Sequence, residues 1–166
     1  MIDAWIEWMA ATRLSAMMLD SAWTWPLAET VHFAGLVLLA GTVGLFDLRI
    51  LGLGRGIPPV AIHRLVPFGV LGFVLLVATG ALFVFGTPDQ YFHNAAFRWK
   101  LALLGLMGAN AAFFYAMPYR ALTRLGADGD APRSAKVCAA LSLTLLAAVM
   151  FCGRMLTFFR PIDGGS

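Results

Sequence analysis

Apolar residues fall into four long runs, at about 27–46, 65–86, 97–117 and 137–159. Each run matches the roughly 20 residues a helix needs to cross a bilayer. Backbone polar groups in lipid must be satisfied within the segment, so the runs predict four transmembrane helices. Their valines and phenylalanines do not argue for strands. The polar stretches between them read as connections. Asp47-Leu48-Arg49 leads into Gly52, Gly54, Gly56, Pro58 and Pro59, a turn-rich linker. A short link around Gly86-Thr87-Pro88-Asp89 is followed by Tyr91, Phe92 and His93. The third connection runs from Pro118 to Lys136 and contains Gly126 to Pro132.

Residues 2–20 predict one further helix, with Ile2, Trp5, Ile6 and Met9 on one face and Asp3 and Glu7 on another. That amphipathic pattern belongs at a membrane interface, not across it. Trp23, Trp25 and Trp99 fit an aromatic belt at the same surface. Pro26 suits the start of the first span. The expected organisation is all-α: an integral membrane four-helix bundle over 27–159, an N-terminal interfacial amphipathic helix and belt over 1–26, and a tail over 160–166.

Composition agrees. Of 166 residues, 60% are hydrophobic and 13% charged, and mean hydropathy is +0.80. A soluble domain is roughly 45–50% apolar and about 25% charged. A net charge of +3, without a basic and aromatic surface segment, gives no footprint for nucleic acid. The acidic residues Asp3 and Glu7 precede any basic one, which is not a signal-peptide pattern. Cys138 and Cys152 lie 14 residues apart in one run, about 21 Å along a helix. They cannot bridge each other, and they read as small buried hydrophobes.

Charge distribution sets the expected orientation. Arg49, Arg55, Arg64, Arg120, Arg124, Arg133 and Lys136 lie in or beside the first and third connections. By the bias of basic residues toward the cytoplasm, those loops are expected inside a bacterial inner membrane, with both termini periplasmic. The basic loops would touch anionic headgroups.

Ionisable residues inside a span are costly and usually face protein or water. Glu29 and His32 start the first span, Lys100 starts the third, and Arg154 lies near the end of the fourth. Antiparallel packing would bring all four to one layer, roughly 5–8 Å below the outer surface at about 1.5 Å per residue. His93 could hang over that layer from the outer loop, whereas His63 belongs at the opposite end. Glu29 and His32 share a helix face by their spacing of three. Stripes of small and hydroxyl residues, His32-Gly35-Leu39-Thr42 and Gly69-Gly72-Leu76-Thr79, allow close helix approach.

Four readings fit this cluster. In the first it is an ion-pair network closing the bundle, with Glu29 on Arg154 or Lys100. In the second it is a b-type haem site. His32 is the axial ligand, Arg154 and Lys100 attract the propionates, and His93, Met155 or Cys152 is a candidate sixth ligand. A quinone, proton or small-anion site is the third. Copper handling by Met150, Cys152 and Met155 is the fourth, but those residues do not share a helix face. Asn110 reads as an interhelical hydrogen bond. Asp47 and Arg49 read as a capping and interface pair. No hydrolase triad, phosphate loop or zinc motif occurs.

The stretch Ser21-Ala-Trp-Thr-Trp-Pro-Leu-Ala-Glu-Thr-Val-His32-Phe-Ala-Gly35, then Gly41 and Phe46-Asp47-Leu48-Arg49-Ile50-Leu51-Gly52, resembles a family of small bacterial inner-membrane proteins known only as a domain of unknown function. Pro67 to Gly72, Thr79-Gly80, Phe97-Arg98-Trp99-Lys100-Leu101 and Gly153-Arg154 extend the resemblance over nearly the whole chain. It implies a four-helix inner-membrane protein with no assigned activity. The family pattern covers Glu29, His32, Asp47, Arg49, Lys100 and Arg154, but neither His63 nor His93. A looser, architectural similarity reaches CopD-type (copper-resistance-D) and HemJ-type (protoporphyrinogen oxidase) bundles. The resulting expectation is a membrane redox or haem-b-binding accessory protein, partnered by the lipid bilayer and by other membrane subunits or further copies of itself. Its rival is a non-catalytic membrane protein or complex subunit with a structural polar cluster. Neither fixes a reaction.

Overall fold

A computed structural model describes residues 1–156 and 158. The tail expected over 160–166, with Arg160, and residues 157 and 159 of the fourth expected span lie outside the described residues. In chain order the helices are α1 (Ile2–Ala10), α2 (Arg13–Asp20), α3 (Thr24–Leu51), α4 (Pro59–His63), α5 (Val66–Gly86), α6 (Pro88–Phe92), α7 (Ala95–Ala116), α8 (Tyr119–Leu122) and α9 (Arg133–Met155). No strand occurs among the described residues.

Three stretches are long and apolar enough to cross a membrane: Thr24–Leu51, Pro59–Gly86 (α4 and α5 together) and Arg133–Met155. Their mean hydropathies are 1.8, 2.5 and 2.0. These helices mark a membrane protein. α7 has 22 residues but opens on Arg98 and Lys100 and carries Asn110, which lowers its hydropathy. Large apolar side chains point outward on these helices: Phe33 and Val37 on α3, Phe68 and Val74 on α5, Phe151 on α9. That outward apolar surface suits lipid, not water.

α3 runs past the end expected for the first span and stops where Gly52 takes a left-handed conformation (φ 106°). Its N–H bonds back to the Arg49 carbonyl at 3.1 Å. Glycine adopts this cap without a Cβ clash. The extension carries Asp47 and Arg49 inside the helix, not at its cap.

Residues 2–20 form two helices, not one. Thr12 divides them: its hydroxyl donates to Met9 O (2.7 Å) and accepts from Ser15 N (3.2 Å). A threonine side chain that serves the backbone locally competes with helix continuation and caps the next helix. α1 buries none of its residues, whereas α2 buries Ser15 and Met18 and packs on α5.

The long helices pack in pairs. α3 lies on α5 and α7 on α9, and α3 joins the pairs through α9. Gly35 and Gly72 set the α3–α5 distance. A Cβ on Gly72 would fall 2.5 Å from the Gly35 carbonyl oxygen, and one on Gly35 2.8 Å from the Gly72 oxygen. This is close packing through small residues, as the stripes predict. The pairs meet around Phe46 and Ile50 of α3, Phe114 of α7, Leu122 of α8, and Ala135, Cys138 and Ala139 of α9. That buried cluster sits at the end of α3 bearing Arg49. Asn110 donates to the Cys138 carbonyl (3.0 Å) and ties α7 to α9 as expected. Cys138 and Cys152 are both free thiols.

Candidate functional site

His32 lies in the first half of α3 and faces α5. Its Nδ1 is 2.7 Å from Thr79 Oγ1. Thr79 Oγ1 is also 2.6 Å from the Leu75 carbonyl oxygen one turn earlier. A carbonyl cannot donate, so the single hydroxyl proton of Thr79 goes to Leu75. Thr79 must then accept from His32, which places a proton on Nδ1. In the neutral ring Nε2 is therefore the atom with the free lone pair. The ring also lies edge-on to Phe83 with centroids 5.4 Å apart, and Trp25 packs on the same Phe83 at 5.2 Å.

The other expected residues divide. Glu29 accepts a hydrogen bond from Trp25 Nε1 at 3.1 Å and is exposed. Lys100 is half-buried between α7 and α9, where a Cβ on Gly153 would meet its Nζ at 3.9 Å. Both Glu29 and Lys100 act electrostatically on His32. Arg154 carries its guanidinium over the Phe158 ring, 5.5 Å from the centroid. His93 is paired with Asp89 of α6 at 2.9 Å, and both are more than half exposed. Asn94 fastens this end by capping α7 (2.9 Å to Ala96 N) and donating to the Leu156 carbonyl (3.3 Å). A groove of about 290 Å³ beside it is lined by Ala95, Ala96, Trp99, Phe151, Cys152 and Met155. No group of three or more His, Cys, Asp or Glu side chains with metal-binding geometry occurs among the described residues.

The opposite end of α3 holds Asp47 and Arg49, which the sequence offered as a capping and interface pair and not as part of a site. Arg49 is 2% exposed. Its Nε donates to the Ile57 carbonyl (2.6 Å) and an Nη to the Ala127 carbonyl (2.5 Å). One buried guanidinium therefore holds both inter-helix loops, using its planar fork of donors. Asp47 is 6% exposed. It bonds Ser142 of α9, while its Oδ2 is buried without a partner. Close by, His63 bridges two tyrosines, with Nε2 3.1 Å from Tyr115 Oη and Nδ1 3.3 Å from Tyr119 Oη. The available signal was Leu51-Gly52, a helix-stop pattern. It places Asp47 and Arg49 in the last turns of a helix.

Outside the helices, Asp130 of the second loop pairs with Lys136 (2.8 Å) and Arg55 (3.4 Å). The Lys136 hydrogen bond, and then the nearby positive charges, hold its carboxyl below the ordinary aspartate range.

Comparison with protein-family models, curated proteins and solved structures finds no match to this chain.

Proposed function

We propose that the protein is a four-span bacterial inner-membrane protein that binds haem b through His32, as a redox accessory. α7 supplies the fourth span: its 22 residues reach about 33 Å at 1.5 Å per residue, enough for the roughly 30 Å hydrocarbon core. The basic loops held by Arg49 face the cytoplasm and the His32 end faces the periplasm.

The observation that carries the haem reading is the His32–Thr79 hydrogen bond. A metal-ligating histidine characteristically donates its second ring N–H to an oxygen, which fixes the ring and leaves the other nitrogen to ligate. His32 has that arrangement. Lys100, within electrostatic range, and Arg154 near the end of α9 are the cations for the propionate carboxylates. His93 is engaged by Asp89, so His32 is the residue that would hold the haem iron. Haem would supply one-electron chemistry, and the chain supplies the ligand, its orientation and the surrounding charge.

The test is an optical spectrum of the full chain in mild detergent with haem added. A Soret band that His32→Ala abolishes is the expected result. A folded protein that stays colourless with added haem ends the reading.

A second reading is favoured by the Gly35–Gly72 contact beside the same hydrogen bond. Here His32 and Thr79 join two helices of a non-catalytic membrane subunit. Colourless protein that loses stability in both His32→Ala and Thr79→Val is its signature.

A further inference from the structure

We propose that Asp47 is a proton-binding site at the Arg49 end of α3, exchanging with water through a relay of Tyr115, His63 and Tyr119. The first support is its isolation. Asp47 is 6% exposed and its Oδ2 is buried without a hydrogen-bond partner. The nearest cation in sequence, Arg49, directs its Nε and one Nη to the Ile57 and Ala127 carbonyls. The ion pairs among the described residues are Arg55–Asp130, Lys136–Asp130 and His93–Asp89, and none includes Asp47.

The groups facing Asp47 come from several elements. α9 contributes Ser142, as a hydrogen-bond partner, and Cys138. α7 contributes Tyr115, within electrostatic reach of the carboxyl. α4 adds His63, bonded to Tyr115, and α8 adds Tyr119 on the other nitrogen of the same ring. Beyond Arg49, this set has no cation except through protonation of His63. Burying an ionised carboxylate with no countercharge is far costlier than burying the neutral acid. The partner this site lacks is therefore a positive charge, and a proton is the one that needs no further ligands.

The route follows from the bridging imidazole. A neutral ring between two phenols accepts a hydrogen bond at one nitrogen and donates one at the other. It passes a proton by gaining at the first nitrogen and releasing from the second. In the inward direction, water gives a proton to Tyr119 as Tyr119 gives its own to His63 Nδ1. Nε2 releases its proton to Tyr115, and Tyr115 passes its own on toward Asp47. Each phenol keeps one proton, His63 changes tautomer, the carboxylate gains one proton and water loses one. His63 and Tyr119 are half-buried and Tyr115 is 43% exposed, so the relay is open to the surface along its length. This site is independent of haem binding at His32.

Infrared spectroscopy of the full chain in mild detergent tests the proposal. The expected signal is a protonated-carboxyl band that fades as pH rises. It should shift on ¹³C-aspartate labelling and in D₂O, and disappear in Asp47→Asn. His63→Gln should slow its deuterium exchange several-fold. Should Asp47→Asn fail to fold, the isotope shift and a changed band frequency in Ser142→Ala serve instead. No labelled-aspartate band at any pH that keeps the fold would overturn the proposal. So would a band kept in Asp47→Asn, exchange unchanged in His63→Gln, or a band that follows sodium at fixed pH. The last result would assign the site to a metal cation.

Discussion

Arg49 and His32 sit on one helix, some 17 residues apart by their numbers, and the protein treats them differently. Arg49 is almost sealed, and two loop carbonyls accept from its guanidinium. His32 is half-buried, with one ring nitrogen bonded to Thr79. Around Arg49 the two helix pairs converge on a shared apolar cluster. Around His32 the close contact is within one pair, α3 on α5, through Gly35 and Gly72. The Arg49 end is where loops are tied and the pairs joined. The His32 end keeps a lone pair available beside a cation. A buried charge hydrogen-bonded to two loops builds structure, whereas a polar group with one atom left over is open to chemistry.

Replacing Arg49 should produce the largest effect. Arg49→Met leaves the Ile57 and Ala127 carbonyls without their donors, and the expected loss is about 3–4 kcal/mol. Unfolding in mixed detergent micelles measures it. Arg49→Lys should recover only part, because an ammonium lacks the planar fork. Full stability in Arg49→Met would erase the contrast between the two ends.

Next comes the helix seam. Gly72→Ala places a methyl against backbone atoms of α3, at 2.5 Å from Gly35 O and 2.8 Å from Leu39 N, and should cost about 1–3 kcal/mol. Gly105→Ala, where nothing lies within 4 Å of the added atom, is the control and should not destabilise. Equal losses in the two variants would show that the seam is not close-packed.

Thr79→Val should cost less, about 1 kcal/mol, since interhelical hydrogen bonds in membranes are individually modest. Its value lies in the His32 end. If His32 ligates haem, the Soret band should weaken or shift as the ring loses its orienting oxygen. A bound-haem spectrum identical to the wild type would show that Thr79 does not position the ligand.

The smallest effect belongs to the loop pair at Asp130. Its folded carboxyl titrates below its unfolded value. The tether's contribution is thus present above the ordinary aspartate range and is lost as pH falls through the lowered folded value. Asp130 is exposed, so solvent screens it. Limited proteolysis of the 118–136 loop by an acid-active protease should quicken over that acid window in wild type and lose this pH step in Asp130→Asn.

The helical architecture was legible because apolar runs of bilayer length leave the backbone no alternative. The small-residue stripes were legible too, and Gly35 and Gly72 do meet. The break at Thr12 was not, because one hydroxyl choosing local backbone partners outweighed a continuing apolar face. At the candidate site, the sequence named His32, Glu29 and Lys100 but not the partner each would take. Helical spacing did not say that Thr79 would take the imidazole or that Trp25 would take Glu29. Those outcomes depend on side-chain rotation.

By itself, the sequence determined that these helices form and that lipid surrounds them, since hydrophobicity and length act locally along the chain. It also determined which polar residues had to be accounted for. Only the tertiary structure decided that Arg49 would meet carbonyls from two separate loops, that Ser142 would reach Asp47, and that His63 would join two tyrosines. Apart from Arg49 and Ile57, each of those contacts pairs residues far apart in the chain, and hydrogen bonds hold only when directions and distances agree to within a fraction of an ångström. No local pattern encodes that agreement.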